Sequence, residues 1–214
     1  MIYTGIGSRE TPSDICDFMK EIGTLMSKHD WILRSGGAKG ADSAFEAGHT
    51  GKKEIYLPWR HFRRNKSKFY GSSERAVSMA KAVWAARQIS NPDLPDWDRL
   101  RDMTRAFQSR NIHQVLGKNL NVRSDCIICW TKDGQEIGGT AQAMALARMI
   151  HVPVINLAND KPFRDFAEMV KNGTNPKEYV EHWEHQMIQI DADMLSERWV
   201  AEDEQSEVVN ESEG

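Results

Sequence analysis

Two stretches near the start of the chain set glycine beside groups that bind anions: Thr4-Gly5-Ile6-Gly7-Ser8-Arg9-Glu10-Thr11-Pro12 and Ser35-Gly36-Gly37-Ala38-Lys39-Gly40-Ala41-Asp42. Glycine lets backbone N–H groups close on a phosphate oxygen, and a helix that starts there adds the positive end of its dipole. In the first stretch Gly5, Gly7, Ser8 and Arg9 are the candidate ligands, Arg9 being suited to bidentate pairing with a phosphate or carboxylate. Glu10 stands where the dinucleotide fingerprint wants its third glycine, so no NAD site is read there. In the second stretch Ser35, Gly36, Gly37, Lys39 and Gly40 form a phosphate nest. It is not a P-loop, because the spacing before Lys39 differs and no Ser or Thr follows the lysine. Asp42 either caps the following helix or faces a ligand's sugar, as Glu46 would one turn later. A third loop runs from Trp130-Thr131-Lys132-Asp133-Gly134 to Gly138, Gly139 and Thr140, which are read as further phosphate ligands.

Between these loops lies Trp59-Arg60-His61-Phe62-Arg63-Arg64-Asn65-Lys66-Ser67-Lys68-Phe69-Tyr70, where bases alternate with aromatic rings. Arg60, Arg63, Arg64 and Lys66 would track a phosphate backbone while the rings stack bases. The alternative is a solvated loop with its rings tucked into the body. Arg110, Asn111 and Gln114, near a helix end, would reach the pocket only if the fold brings them there. His182 and His185, three apart on a helix, have a metal-binding spacing but no evident third ligand, and are read as surface histidines. Cys126 and Cys129 sit three apart in a strand, where they point to opposite faces and cannot share one ligand. No metal and no resident cofactor are expected.

The elements that must carry these loops follow from periodicity. Met1 to Gly7 is a short apolar strand. Pro12 to His29 has helical spacing at Ile15, Phe18, Met19, Ile22, Leu25 and Met26. Trp31 to Arg34 is a second strand, Ala41 to Gly48 a small-residue helix with Gly48 as C-cap, and Glu54 to Leu57 a third strand. Strand-turn-helix units in succession imply parallel crossovers, hence an α/β fold with a Rossmann-like, doubly wound parallel sheet. Residues 58–117 interrupt the pattern as a helical, basic insertion, with helices near Ser73 to Gln88 and Trp97 to Leu116. The sheet resumes with Ser124 to Trp130, helix Ala141 to Met149 and strand Val152 to Leu157. Helices over Lys161 to Lys171 and Pro176 to about Val200 are expected to pack outside. Residues 1–200 are thus read as one domain, and in open sheets of this type ligands bind beyond the carboxyl ends of the strands, where all three loops lie.

Length and charge are consistent with that plan. A chain of 214 residues can bury a core without metals or disulfides, and three cysteines make no disulfide framework. No apolar run approaches the roughly 20 residues needed to span a bilayer, so a cytoplasmic protein is expected, in the host cytoplasm if phage-encoded. The formal net charge of −3 hides an asymmetry, because residues 201–214 hold six acids and no base. That acidic tail is read as disordered and solubilising, and the remaining chain is slightly basic.

Ile2 to Gly7 with Ser8-Arg9, and Leu33-Arg34-Ser35-Gly36-Gly37-Ala38-Lys39-Gly40-Ala41-Asp42, resemble the SLOG/LOG-like nucleotide-binding superfamily, which includes DprA (Smf) and the lysine-decarboxylase-like LOG proteins. Glu54-Ile-Tyr-Leu-Pro-Trp59, Arg110-Asn111 with Gln114-Val-Leu-Gly117, and Gly138-Gly-Thr140 make the text most similar to DprA-like proteins of phage type. The resemblance covers about Met1 to Leu157. It implies a Rossmannoid domain that binds a nucleotide or single-stranded nucleic acid in DNA processing or recombination, and it is compatible with a homo-oligomer. LOG-type members hydrolyse the N-glycosidic bond of nucleoside monophosphates with a glutamate three residues after the Gly-Gly-Thr threonine, and here that position is Ala143. If cleavage occurs in this chain, Asp42, Glu46, Glu10 or Asp133 would have to supply the carboxylate. A third alternative is a non-catalytic sensor of a nucleotide-derived signal.

Overall fold

The computed structural model describes residues 1–186. It is an α/β fold built on six strands, all parallel to their neighbours: β1 (Ile2–Gly7), β2 (Ile32–Ser35), β3 (Lys53–Leu57), β4 (Phe69–Tyr70), β5 (Cys126–Trp130) and β6 (Val154–Asn156), in the order β4-β3-β2-β1-β5-β6. Strands β1 to β4 are laid down outward in one direction and β5 and β6 in the other, so the order reverses between β1 and β5. Loops leaving those two strands diverge and open a crevice.

Alternation along the strands divides the core in two. Tyr3 and Leu33 face one side with Cys126 and Ile128, under α1 (Ser13–Lys28), α2 (Ala41–Gly48) and α6 (Asp160–Asn172). Ile6, Ile127 and Cys129 face the other, under α3 (Glu74–Ser90), α4 (Asp102–Leu116) and α5 (Thr140–Met149). Cys126 and Cys129 therefore lie on opposite faces, as their spacing requires. Burial pushes both thiols up, that of Cys129 to about 12. A last described helix, α7, begins at residue 177 and packs Val180 onto the first core. His182 and His185 sit on its exposed side.

Residues 58–117 do more than interrupt the sheet. Phe69 and Tyr70 pair with Tyr56 and Leu57 as the edge strand β4, which alternation of bases and rings does not announce. α3, capped by Ser73 Oγ accepting from Ala76 N at 3.2 Å, and α4 together cover the second face. The helix expected over Trp97 to Leu116 is broken: Trp97–Arg99 is a single 3-10 turn with Trp97 edge-on to Trp84, and extended Leu100 and Arg101 separate it from α4. Gly48 is not a C-cap. It is the last helical residue of α2, and a Cβ there would stand 1.9 Å from the Lys20 carbonyl oxygen, so glycine is required by the close approach of α1 and α2. No helix among the described residues is long and apolar enough to cross a membrane. The expected acidic tail, residues 201–214, lies outside the described residues.

Candidate functional site

At the reversal between β1 and β5 a cleft of about 550 Å³ opens, a size that suits a small organic ligand. Its floor is the end of β1 and the loop after it, Ile6 to Glu10. One side is Ala38 and Asp42, and the other is Thr131, Lys132 and Ile137 to Thr140. The third wall is α4, which presents Phe107, Gln108, Arg110, Asn111 and Gln114. Asn111 Nδ2 donates to Gly139 O at 2.7 Å and so fastens α4 to the loop after β5.

The three glycine-bearing loops thus converge at one edge of the sheet, but they enter the cleft unequally. Gly7, Ser8, Arg9, Asp42, Gly138, Gly139 and Thr140 line it. Gly5 lies beneath the Phe45 ring, where a Cβ would be 2.7 Å from Cγ. Ser35 is fully buried and its Oγ donates to Gly5 O at 2.7 Å. Gly36 and Gly37 are buried and Lys39 is exposed, and neither these three nor Gly40 are among the lining residues. The nest formed by this second loop is filled from within. Asp42 accepts from Ala38 N at 3.3 Å, and the N–H groups of Gly7 and Gly36 also pull on its carboxylate. Asp42 therefore does what a phosphate would do in such a nest, and it does so from inside α2 rather than as its cap.

Asp42 is buried against Arg110, whose Nη1 stands 3.7 Å away. Burial pushes the Asp42 carboxyl up, while Arg110 and the backbone N–H groups pull it down less strongly. Burial pushes the Arg110 guanidinium down, Asp42 opposes this, and the positive charge of Arg9 adds to the lowering. Arg9 and Arg110 both lie against the Phe107 ring, at 4.9 and 5.8 Å from its centroid. Two guanidiniums thus lie against one ring, and one of them, Arg110, faces the buried Asp42 carboxylate. Lys132 and the start of α5 at Thr140 add positive potential on the far side.

Glu46 is not in the cleft. Its Oε1 accepts from Asn65 Nδ2 at 3.4 Å, on the flank where the basic loop meets α2. In that loop Arg60, Arg64 and Lys66 are exposed, and Arg63 donates to Gly37 O and Ser43 Oγ at 3.4 and 3.3 Å. His61, Arg63 and Arg64 all have left-handed backbone angles, which holds a tight basic knuckle away from the sheet. Its rings reach back: Trp59, Phe62 and Phe107 pack edge to face in pairs at 5.2 to 5.5 Å, so the loop abuts the cleft through Phe107. Glu10 lines the cleft and is exposed, and Ala143 is buried in the second core.

Met103, Thr104, Phe107, Gln108 and Ile137 are the cleft residues that sequence reasoning missed. In the sequence the run Gln108 to Gln114 shows only that five of its seven residues are polar or charged besides His113 and Ile112, and it is the structure that buries all seven. A helix that buries polar groups all round has something to do with them. Neither a family model nor a curated protein nor a solved structure matches this chain. The fold and cleft define a Rossmann-like α/β protein with an open crevice at its topological switch point.

Proposed function

We propose that the cleft binds the phosphate of a nucleotide and that single-stranded nucleic acid reaches it over Trp59 and the basic loop, as in a DprA-like protein of DNA processing or recombination. The observation that carries this reading is that the open start of α5 at Gly138 to Thr140 shares the cleft with Arg9 and Lys132, because a helix N-terminus beside cationic side chains calls for an anion. A base stacked on the half-exposed Trp59 would place its backbone along Arg60, Arg64 and Lys66. The test is titration with a short oligonucleotide and with nucleoside monophosphates at several salt concentrations. Neutralising Arg60, Arg63, Arg64 and Lys66 should reduce the salt slope for the oligonucleotide by about 3 and leave mononucleotide affinity unchanged. Oligonucleotide binding that is insensitive to salt would sink the nucleic-acid half of the proposal.

A second reading, N-glycosidic hydrolysis, is favoured by Asp42. Among the described residues two carboxylates line the cleft, and Asp42 is the buried one with its carboxyl pushed up, as a general acid requires. Chromatography of a nucleoside monophosphate after incubation decides this: released base that Asp42→Asn abolishes supports an enzyme, and intact nucleotide supports a binding protein or sensor.

A further inference from the structure

Exposure falls along α4 as the helix descends beside the cleft. Met103 in its first turn is 54 % exposed, Phe107 is half-buried, and Gln108 and Gln114 are buried. Met103 therefore stands at the mouth. From the wall formed by the loop after β5, Ile137 lines the same cleft and is 51 % exposed. A single apolar side chain on a surface needs no explanation, but two on different walls of one cleft mouth form a place where an apolar group sheds water on entry. The two walls are tied to each other: Asn111 Nδ2 on α4 donates to Gly139 O at 2.7 Å, two residues beyond Ile137, and Ile137 N itself donates to Gln135 O at 3.0 Å.

Ile137 directly precedes Gly138, so a phosphate held by Lys132 and Gly138 to Thr140 brings the rest of its molecule to this apolar lip. Resting on the nucleotide reading above, we infer that Met103 and Ile137 clamp the nucleobase of the nucleotide whose phosphate sits at the start of α5. A flat ring has two apolar faces, one for each wall, and the thioether of a methionine adapts to an aromatic face better than a branched side chain does. The clamp reads ring area and not the hydrogen-bonding edges of the base, because the Asn111 amide is engaged with Gly139 O and the Gln108 and Gln114 side chains are buried. A purine covers more of the two side chains than a pyrimidine does, and a bare sugar phosphate has no ring to place there. Affinity therefore rises from sugar phosphate to pyrimidine to purine nucleotide.

Calorimetric titration of the full chain with ribose 5-phosphate, uridine monophosphate and adenosine monophosphate tests the clamp. Adenosine monophosphate should bind about tenfold or more tighter than ribose 5-phosphate, with uridine monophosphate between them. The double variant Met103→Ala, Ile137→Ala should weaken adenosine monophosphate about tenfold and leave ribose 5-phosphate unchanged. Both side chains are exposed in the free protein, so this variant should fold, which circular dichroism checks; if it does not, Met103→Gln, which keeps the length of the side chain and makes it polar, should lower the same ratio. Ribose 5-phosphate binding as tightly as adenosine monophosphate, or a double variant that weakens all three compounds equally, would overturn the clamp while leaving the phosphate site standing. Failure of all three compounds to bind would instead remove the nucleotide reading and the clamp with it.

Discussion

The loop after β2 and the loop before α5 are both rich in glycine and both end at the same edge of the sheet, yet their glycines are there for opposite reasons. Gly36 is walled in, and a Cβ there would meet Arg110 Nη1 at 1.3 Å. Gly138 and Gly139 are exposed, and a Cβ on either would meet nothing within 4 Å. In the first loop glycine makes room for the protein's own ion pair, whose carboxylate fills the nest. In the second it leaves backbone open to whatever enters the cleft. Glycine content thus marks either a close approach of backbone, as at Gly36, or a left-handed turn, as at Gly138 with φ +67°, and only the surroundings say which.

This contrast is sharpest at its internal partner. Arg110→Ala should destabilise the protein by about 3 to 5 kcal/mol, because it strands Asp42 as an unpaired buried carboxylate, and urea denaturation would read the loss. Gly36→Ala should lower the urea midpoint by an amount corresponding to about 1 to 3 kcal/mol, since its methyl group would displace the buried Arg110 guanidinium from Asp42 and Tyr56 O. A loss no greater than that of an average surface substitution would show that the second loop is looser than its packing implies.

The pair also predicts a sign with pH. Folding raises the Asp42 carboxyl above its ordinary value of 3.8, chiefly through burial, so the folded protein holds that proton more tightly than the unfolded chain. The associated stability is full below the unfolded value and is lost as pH rises through the folded one. Measured against Asp42→Asn, which does not titrate, wild-type stability should therefore decline as pH is raised upward from about 4. A difference that grows with pH would mean that Arg110 and the nest outweigh burial.

The open loop should respond in the reverse manner. Gly139 has φ −69°, a helical angle that alanine adopts, so Gly139→Ala should change stability by less than about 0.5 kcal/mol. Its methyl group would nevertheless narrow the approach to the start of α5, and ribose 5-phosphate affinity should fall several-fold. The smallest effect is expected at Lys39, exposed at the turn that Arg63 also contacts through Gly37 O. Lys39→Ala should leave mononucleotide affinity alone and lower only the salt-dependent binding of an oligonucleotide.

Most of the scaffold is legible in the chain because its elements obey a simple period. α1 shows its apolar stripe in the spacing of Ile15, Met19, Ile22 and Met26, and α2 spans the same residues in the structure as in the sequence. β4 is hidden because two residues cannot display an alternation, and the contact that accompanies its pairing, Ser67 Oγ donating to Ile55 O at 2.6 Å, joins residues twelve apart. α4 is visible as a helix but not as a wall of the site, because Gln108 to Gln114 have no apolar stripe from which to infer a buried face.

The same division runs through the site. Residue type and local spacing alone determined that Gly7, Ser8, Arg9, Gly138, Gly139 and Thr140 would stand at the carboxyl ends of parallel strands, since strand, turn and helix signals act over a few residues. That Asp42 would be buried against Arg110, that Glu46 would turn away toward Asn65, and that Gln108 and Gln114 would be left with unfilled hydrogen bonds was decided only by the tertiary structure. The physical reason is that burial and charge pairing depend on which distant segments share a low-dielectric space, and no local pattern in the chain carries that information.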